Sequence, residues 1–426
     1  MSNISPLRPI EPIPVDVNGR QLVVLRDPMR FMENDVSVSV PAYMILCMLD
    51  GTRSISRICS EFQQRFGTEV PRQDVEKLVD DLDKVGLLQN ERYLEIREKA
   101  LEAFSQAPVR EAAHAGSAYE GTPEALRKQI DSFYTLAREQ EPVTPVEDDK
   151  AISGLVAPHI DPRVGGVCAA HAYRLLDEST AEPPELFVLF GTAHQPGSQL
   201  FTVLDKPWET PLGRTEADGE ALAALKNSLP MLDLTADQYL HKFEHSIEFQ
   251  LIFLQHLYGT EGMSDESLKN EKRPHSFEIL PILVGSFHEF LETNTLPSFD
   301  EEVDLFTNAM REVIAKSGKR VCFVIGADLS HMGKKFGDSH GAEEQQLART
   351  RQQDREMLSH LADDNPEAFF RHLQIDGDRQ KVCGLPPIYT ALNILGEGHP
   401  ARLLQYDISI EEPTDSFVSY ASLAIM

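Results

Sequence analysis

Gly154-Leu-Val-Ala-Pro-His-Ile-Asp-Pro-Arg-Val-Gly-Gly166 is a short apolar run that stops at Pro158 and delivers His159 into a polar, glycine-rich turn. The pattern returns twice, in Leu186-Phe-Val-Leu-Phe-Gly-Thr-Ala-His194 and in Val321-Cys-Phe-Val-Ile-Gly-Ala-Asp-Leu-Ser-His331. Each is a continuous apolar run followed by glycine, a small residue and a histidine at or near the run's end. Runs without alternation fit strands buried on both faces of a largely parallel sheet. Ligands of such sheets sit beyond the carboxyl ends of the strands. The three histidines are therefore expected to converge on one site, and imidazole is the commonest metal ligand, so the site is expected to hold a metal.

Working outward, strand and helix patterns alternate on both sides of this stretch. Thr122-Pro-Glu opens a helix with a cap, a proline at the first position and an acid at the next. Further helices are expected around Val167–Leu176, Asp218–Ser228, Glu244–Leu257 and Glu301–Ser317, with strands at 277–284 and 321–325 and a hairpin-like segment near Leu200–Val203. Glu139–Lys150 and Thr260–Ser276 read as an exposed loop and a surface insertion. Such alternation predicts an α/β fold, a central mostly parallel or mixed sheet flanked by helices.

The first hundred residues read differently. A proline-rich, extended start precedes a strand at Gln21–Leu25, and three short helical patterns follow between Val40 and Asn90, before a helix over Leu94–Phe104. This predicts a small winged-helix-like domain over residues 1–100 and an α/β domain over 101–426. Residues 1–100 carry 13 Lys/Arg against 16 Asp/Glu, and the whole chain of 426 residues has a net charge of -28. Both argue against nucleic acid and against anionic membrane surfaces as partners. No apolar stretch is long enough to span a bilayer and the N-terminus has no signal-peptide core, so the expected location is the cytoplasm. The five cysteines are scattered without a CxxC pair, as free thiols would be.

Two neutral imidazoles and one anion would leave open positions on a metal for substrate or oxygen. The candidate anion is Cys383, in Val382-Cys-Gly-Leu-Pro-Pro387, where a glycine and two prolines predict an irregular turn; Cys322, inside an apolar run, reads as core. Asp328 shares a loop with His331 and either orients a histidine, ligates, or caps the next turn. His245 and Glu248 would face one side of their helix, as groups beside the site or as helix caps.

Arg110-Glu-Ala-Ala-His-Ala-Gly-Ser-Ala-Tyr119, Ala157-Pro-His159, Gly191-Thr-Ala-His194, Glu244-His-Ser-Ile-Glu248, Asp328-Leu-Ser-His331 and Cys383-Gly384 resemble, in order and spacing, the motifs of the Memo family, which includes the AmmeMemoRadiSam system protein B members. The resemblance implies a fold similar to the LigB-type class III extradiol dioxygenases. It implies His159, His194 and Cys383 as metal ligands, with iron or copper bound, and places Asp328 and His331 in the pocket, His331 moving protons. This chain departs from the family at Ile160-Asp161-Pro162, where Asp161 adds a carboxylate beside His159. The N-terminal domain loosely resembles the PqqD-like peptide-recognition domains that accompany radical-SAM enzymes.

Three functional classes remain open. The first is a non-haem iron(II) or copper redox enzyme acting on an unknown small molecule, with His331 as acid/base and Asp328 or His245 orienting it. The second is a protein- or peptide-binding module on a dioxygenase-like fold, for which the N-terminal resemblance implies a radical-SAM protein as partner. The third is a zinc-dependent hydrolase, since two histidines and a cysteine also suit zinc.

Overall fold

The computed structural model describes residues 3–32, 34–140, 152–179, 181–259 and 276–426. It divides into two compact units, Met1–Ala107 and Pro108–Met426. The division falls past residue 100 because the helix expected over 94–104 runs from Glu91 to Gln106. The expected loop at 139–150 and insertion at 260–276 lie almost wholly outside the described residues.

The first unit is a three-stranded antiparallel sheet in the order β1 (Glu11–Val17), β2 (Arg20–Arg26), β3 (Val36–Ser39), followed by helices Val40–Leu46, Ile55–Phe66, Arg72–Lys84 and Glu91–Gln106. The proline-rich start thus forms a strand of its own. Pro12 and Pro14 are tolerated because β1 is an edge, and Asn18-Gly19, both at positive φ, make the two-residue turn to β2. Leu25, Ile58, Phe62, Val75, Leu82 and Leu87 close the core. Beneath them Arg8 and Asp27 form a buried ion pair at 2.7 Å, with Asp27 also accepting from the Phe31 and Met32 amides.

The second unit is α/β, with an eight-stranded mixed sheet flanked by helices. Its centre is parallel: β4 (Gly154–Ala157), β10 (Val321–Gly326), β5 (Leu186–Thr192) and β9 (Glu278–Val284) lie side by side in that order. These are the apolar runs of the sequence, buried along almost their whole length because helices cover both faces. Antiparallel strands extend the sheet: β6 (Phe201–Val203) beyond β9, and β13 (Ser416–Ile425) beyond β4, with β11 (His331–Gly333) and β12 (Ala401–Glu411) pairing to β13. The expected hairpin at Leu200–Val203 is instead this edge strand β6. The hairpin lies just after it, as β7 (Trp208–Thr210) and β8 (Gly213–Thr215).

Two helices depart from expectation in ways that matter for the site. The first spans Pro162–Glu178, not 167–176, with Asp161 as its cap accepting from the Arg163 amide. The glycines read as a turn lie inside it: a Cβ on Gly166 would meet the Phe133 ring at 2.5 Å, so they let this helix approach its neighbour closely. The second begins at Glu248 rather than Glu244 and runs to Tyr258, after a 3-10 turn at Gln238–Lys242. It is buried all round, because it packs between other helices and the sheet. Its two buried glutamines are matched inside, Gln250 donating to the Pro158 carbonyl at 3.1 Å and Gln255 to Thr215 at 2.9 Å.

Candidate metal centre

Two residues past β4 stands His159, and two past β5 stands His194. On β10, which lies between them, the same position holds Asp328, and His331 comes three residues later as the first residue of β11. Adjacent parallel strands thus aim His159, Asp328 and His194 at one place. Glycine ends make room above: a Cβ on Gly326 would collide with the Ser246 carbonyl, which crosses over the strand end.

Cys383 arrives from the far end of the sequence. It occupies a turn immediately before the helix Leu385–Leu395, whose first turn holds Pro386 and Pro387, so the prolines start a helix rather than prolong an irregular loop. That turn is pressed onto the Asp328 loop. The Gly384 amide donates to the Asp328 carbonyl at 3.1 Å, where a Cβ on Gly384 would sit 2.5 Å from that same oxygen. Thr192, at the end of β5, donates to the Cys383 carbonyl at 3.0 Å.

One ligand atom from each of His159, His194 and Cys383 lies within 4.8 Å of the others. His159 Nε2 is 3.2 Å from Cys383 Sγ and 3.6 Å from an Asp328 oxygen. Its Nδ1 is 2.9 Å from the Gly326 carbonyl, an acceptor only, so the proton sits on Nδ1 and Nε2 carries the lone pair. His194 is arranged likewise, with Nδ1 donating to Glu244 at 2.9 Å. With Nδ1 so engaged, Nε2 is in each ring the nitrogen left for a metal; burial would lower His194, but the Glu244 carboxylate outweighs it and raises that imidazole above its ordinary value.

Helix spacing in the sequence points to Glu248, but it is Glu244 that meets the histidines. Its carboxylate receives His194 Nδ1 and lies 3.1 Å from His245 Nδ1, and it accepts from the His245 and Ser246 amides at 2.8 and 2.9 Å. His194, Glu244 and His245 also lie within 4.8 Å of one another, but with its oxygens so engaged Glu244 orients the two rings rather than competing for an ion. The rings stack with centroids 4.9 Å apart, and both side chains stay about a third exposed, at 34% and 31%, whereas His159 is 2% exposed. The His194–His245 side is thus the more open to solvent, with Cys383 of intermediate burial.

Glu248, expected on the same helix face as His245, has a different task. It is fully buried and paired with Arg110, and it accepts from Tyr119 at 2.5 Å and from the Ala113 and His114 amides at 3.0 Å. Arg110 lies over the Trp208 ring at 4.3 Å and donates to the carbonyls of His241 and Glu244 at 3.0 and 2.9 Å. The pair explains the Arg110–Tyr119 motif: it anchors the segment that presents Glu244. Asp161 does not enter the pocket; it caps its helix and pairs with Arg163 at 2.7 Å.

Burial and the neighbouring charges together shift the ionisable groups of the site. Burial pushes His159 well below the ordinary imidazole value, an effect that His194 and His245 reinforce, and brings His331 down to about 4. His331 Nδ1 donates to the Leu329 carbonyl at 3.0 Å, leaving Nε2 as a proton acceptor. Burial would raise Glu244, yet the His194 and His245 rings outweigh it and hold the carboxyl well below its usual range. Burial, with Asp328 beside it, keeps the Cys383 thiol well above its usual value. Burial also raises Asp328, whose carboxylate accepts from the His159 amide at 3.0 Å. Cys322 lies inside β10, its thiol pushed up to about 12 by burial, as a core cysteine should be.

Among the described residues no helix is long and apolar enough to cross a membrane. Residues 34–88 match the family model for coenzyme PQQ synthesis protein D. A MEMO1 family protein of Aquifex aeolicus is 28% identical over 402 residues, 94% of this chain and 95% of that one. One of Thermus thermophilus is 28% identical over 381 residues, 88% and 99% of the two chains. A solved structure of an uncharacterized protein from Escherichia coli K12 aligns with 65% of this chain and 100% of that one at 11% identity and a TM-score of 0.34, a likeness too loose to bear on the fold. The Memo-like protein model matches residues 110–424, and the chain belongs to the Memo-like family.

Proposed function

We propose that the Pro108–Met426 unit is a metal-dependent redox protein or enzyme, in which His159 Nε2, His194 Nε2 and Cys383 Sγ hold iron(II) or copper. The observation that supports this most is the hydrogen bonding behind the donors: both imidazoles have Nδ1 tied to an acceptor, which fixes the tautomer a metal needs. Two neutral nitrogens and a thiolate suit a soft or borderline ion with open positions, and the ion, when bound, would supply Lewis acidity and redox chemistry. The chain's own groups do the rest. Neutral His331 offers Nε2 to a proton, Asp328 holds the His159 backbone, and Glu244 keeps His194 and His245 aligned at the open side, where a small substrate enters.

Anaerobic purification with metal quantification and spectroscopy, on wild type and on His159→Ala, His194→Ala and Cys383→Ala, tests the reading. About one iron or copper per wild-type chain, lost in each folded variant, is the expected result. Full metal content in all three variants would remove the site, and zinc in place of a redox metal would redirect the reading to hydrolysis.

For the Met1–Ala107 unit the supported reading is peptide binding. The match of residues 34–88 favours it, and β3 ends its sheet, the arrangement that strand addition uses. Hydrogen exchange at Val36–Ser39, with and without a radical-SAM protein from the same cell, tests it: protection is expected, and unchanged exchange rules that partner out.

A further inference from the structure

Asp354 sits in the helix Glu344–Ala362 and is fully buried, in a stretch otherwise rich in exposed polar residues. Four side chains donate to its two oxygens. Ser330 Oγ and Gln380 Nε2 reach Oδ1 at 2.6 and 2.9 Å, while Ser419 Oγ and Tyr406 OH reach Oδ2 at 2.6 and 2.7 Å. The donors come from three separate places: the Asp328–His331 loop, the segment leading to Cys383, and the β12–β13 hairpin.

These attachments are continued by the backbone. The His331 amide donates to the Gln380 carbonyl at 2.7 Å, and Ser330 and Ser419 exchange bonds, amide to hydroxyl at 2.9 Å and carbonyl from amide at 2.9 Å. Gln380 also donates to Ser330 Oγ. The segments carrying Asp328, His331 and Cys383 therefore meet at one carboxylate, whose four side-chain donors are Ser330, Gln380, Tyr406 and Ser419 and not these three residues themselves.

We propose that Asp354 is a positioning residue that sets the separation of Cys383 from His159, a role that rests on the metal-binding reading above. A buried carboxylate that accepts four hydrogen bonds fixes its donors more rigidly than neutral pairs do. Loss of such a supporting partner typically lowers metal affinity about 10–100-fold while the ligands themselves remain. Asparagine in its place keeps the shape but removes the charge: the Ser419 and Tyr406 hydroxyls must reverse to accept from its amide, all four contacts lose their charge assistance, and the Cys383 segment loosens against the Asp328 loop.

The experiment compares wild type, Asp354→Asn, Ser330→Ala and, as a control, Gln255→Leu. Gln255 anchors a separate buried network with Thr210, Thr215 and the Gly213 carbonyl at β7–β8. Hydrogen exchange on metal-free protein is read at residues 328–331 and 380–384, and iron(II) and copper(I) affinities by titration. Asp354→Asn is expected to speed exchange at both segments and to weaken binding about 10–100-fold, with Ser330→Ala giving a smaller effect of the same kind and Gln255→Leu lowering only the melting temperature. Exchange and affinity in Asp354→Asn equal to those of Gln255→Leu would overturn the proposal, and if Asp354→Asn does not fold, Ser330→Ala decides by the same readouts. Should wild type bind neither metal, the metal reading falls, and the exchange data alone still judge whether Asp354 holds the two segments.

Discussion

The two walls of the site are built by opposite means. The wall of His194, His245 and Glu244 is backed by charge: Glu244 beneath the imidazoles, and behind it the fully buried Arg110–Glu248 pair stacked on Trp208. The wall of His159, Asp328 and Cys383 is backed mostly by backbone carbonyls, hydroxyls and an amide gathered on Asp354. The rings of the charged wall are also the more exposed to solvent. A ring partly in water can rotate unless an anion holds it, whereas His159 is already confined by burial and needs only a carbonyl.

The contrast is tested most severely at Arg110. Arg110→Met leaves Glu248 charged and unpaired in the interior, and breaking a buried pair in this way costs about 3–5 kcal/mol. Thermal denaturation should show a large drop or no folded protein; a drop within a degree would mean that the charged wall is no more than ordinary packing.

Glu244→Gln comes next. It keeps the shape but removes the anion shared by His194 and His245, so metal affinity is expected to fall about 10–100-fold with a smaller change in stability. Unchanged affinity in a titration would show that the two rings need no anion to stay aligned.

On the opposite wall the sharpest test is pH. Asp378, half-buried in the segment before Cys383, accepts from the Val382 amide, and burial pushes its carboxyl up to about 7. A raised acid favours the folded state when protonated. Its contribution is complete below about pH 4 and is lost as pH rises toward 7. Asp378→Asn removes that loss, so unfolding free energies from denaturant titrations should separate from wild type with rising pH and differ by on the order of 1–2 kcal/mol at pH 8, after discounting for solvent screening. Parallel pH profiles for the two proteins would exclude Asp378 as the source.

The smallest effect is expected from removing residues 1–107. Both walls lie wholly in the second unit, so metal content per chain should not change; depletion would mean that the first unit contributes to the centre.

The sequence by itself determined the sheet and three of its tenants. Short unbroken apolar runs cut off by proline or glycine fit strands buried on both faces, and the residues just past such strands fall at one edge of a parallel sheet, so His159 and His194 were legible from pattern. Cys383 stood out because it lies outside any periodic element, although the prolines after it start a helix. What periodicity could not supply was contact across distance. Asp328 rather than His331 fills the matching position on β10, because the strand stops at Gly326. Helix spacing favoured Glu248 over Glu244, yet the helix starts only at Glu248, and the chain before it folds back so that Glu244 meets His194, 50 residues away. Asp354 carries no local mark at all, since an acid in a polar helix reads as solvated until three distant segments close over it. Strand ends are set by local chemistry, but the partners of a buried charge are set by which segments the fold brings to it, and only the tertiary structure decides that.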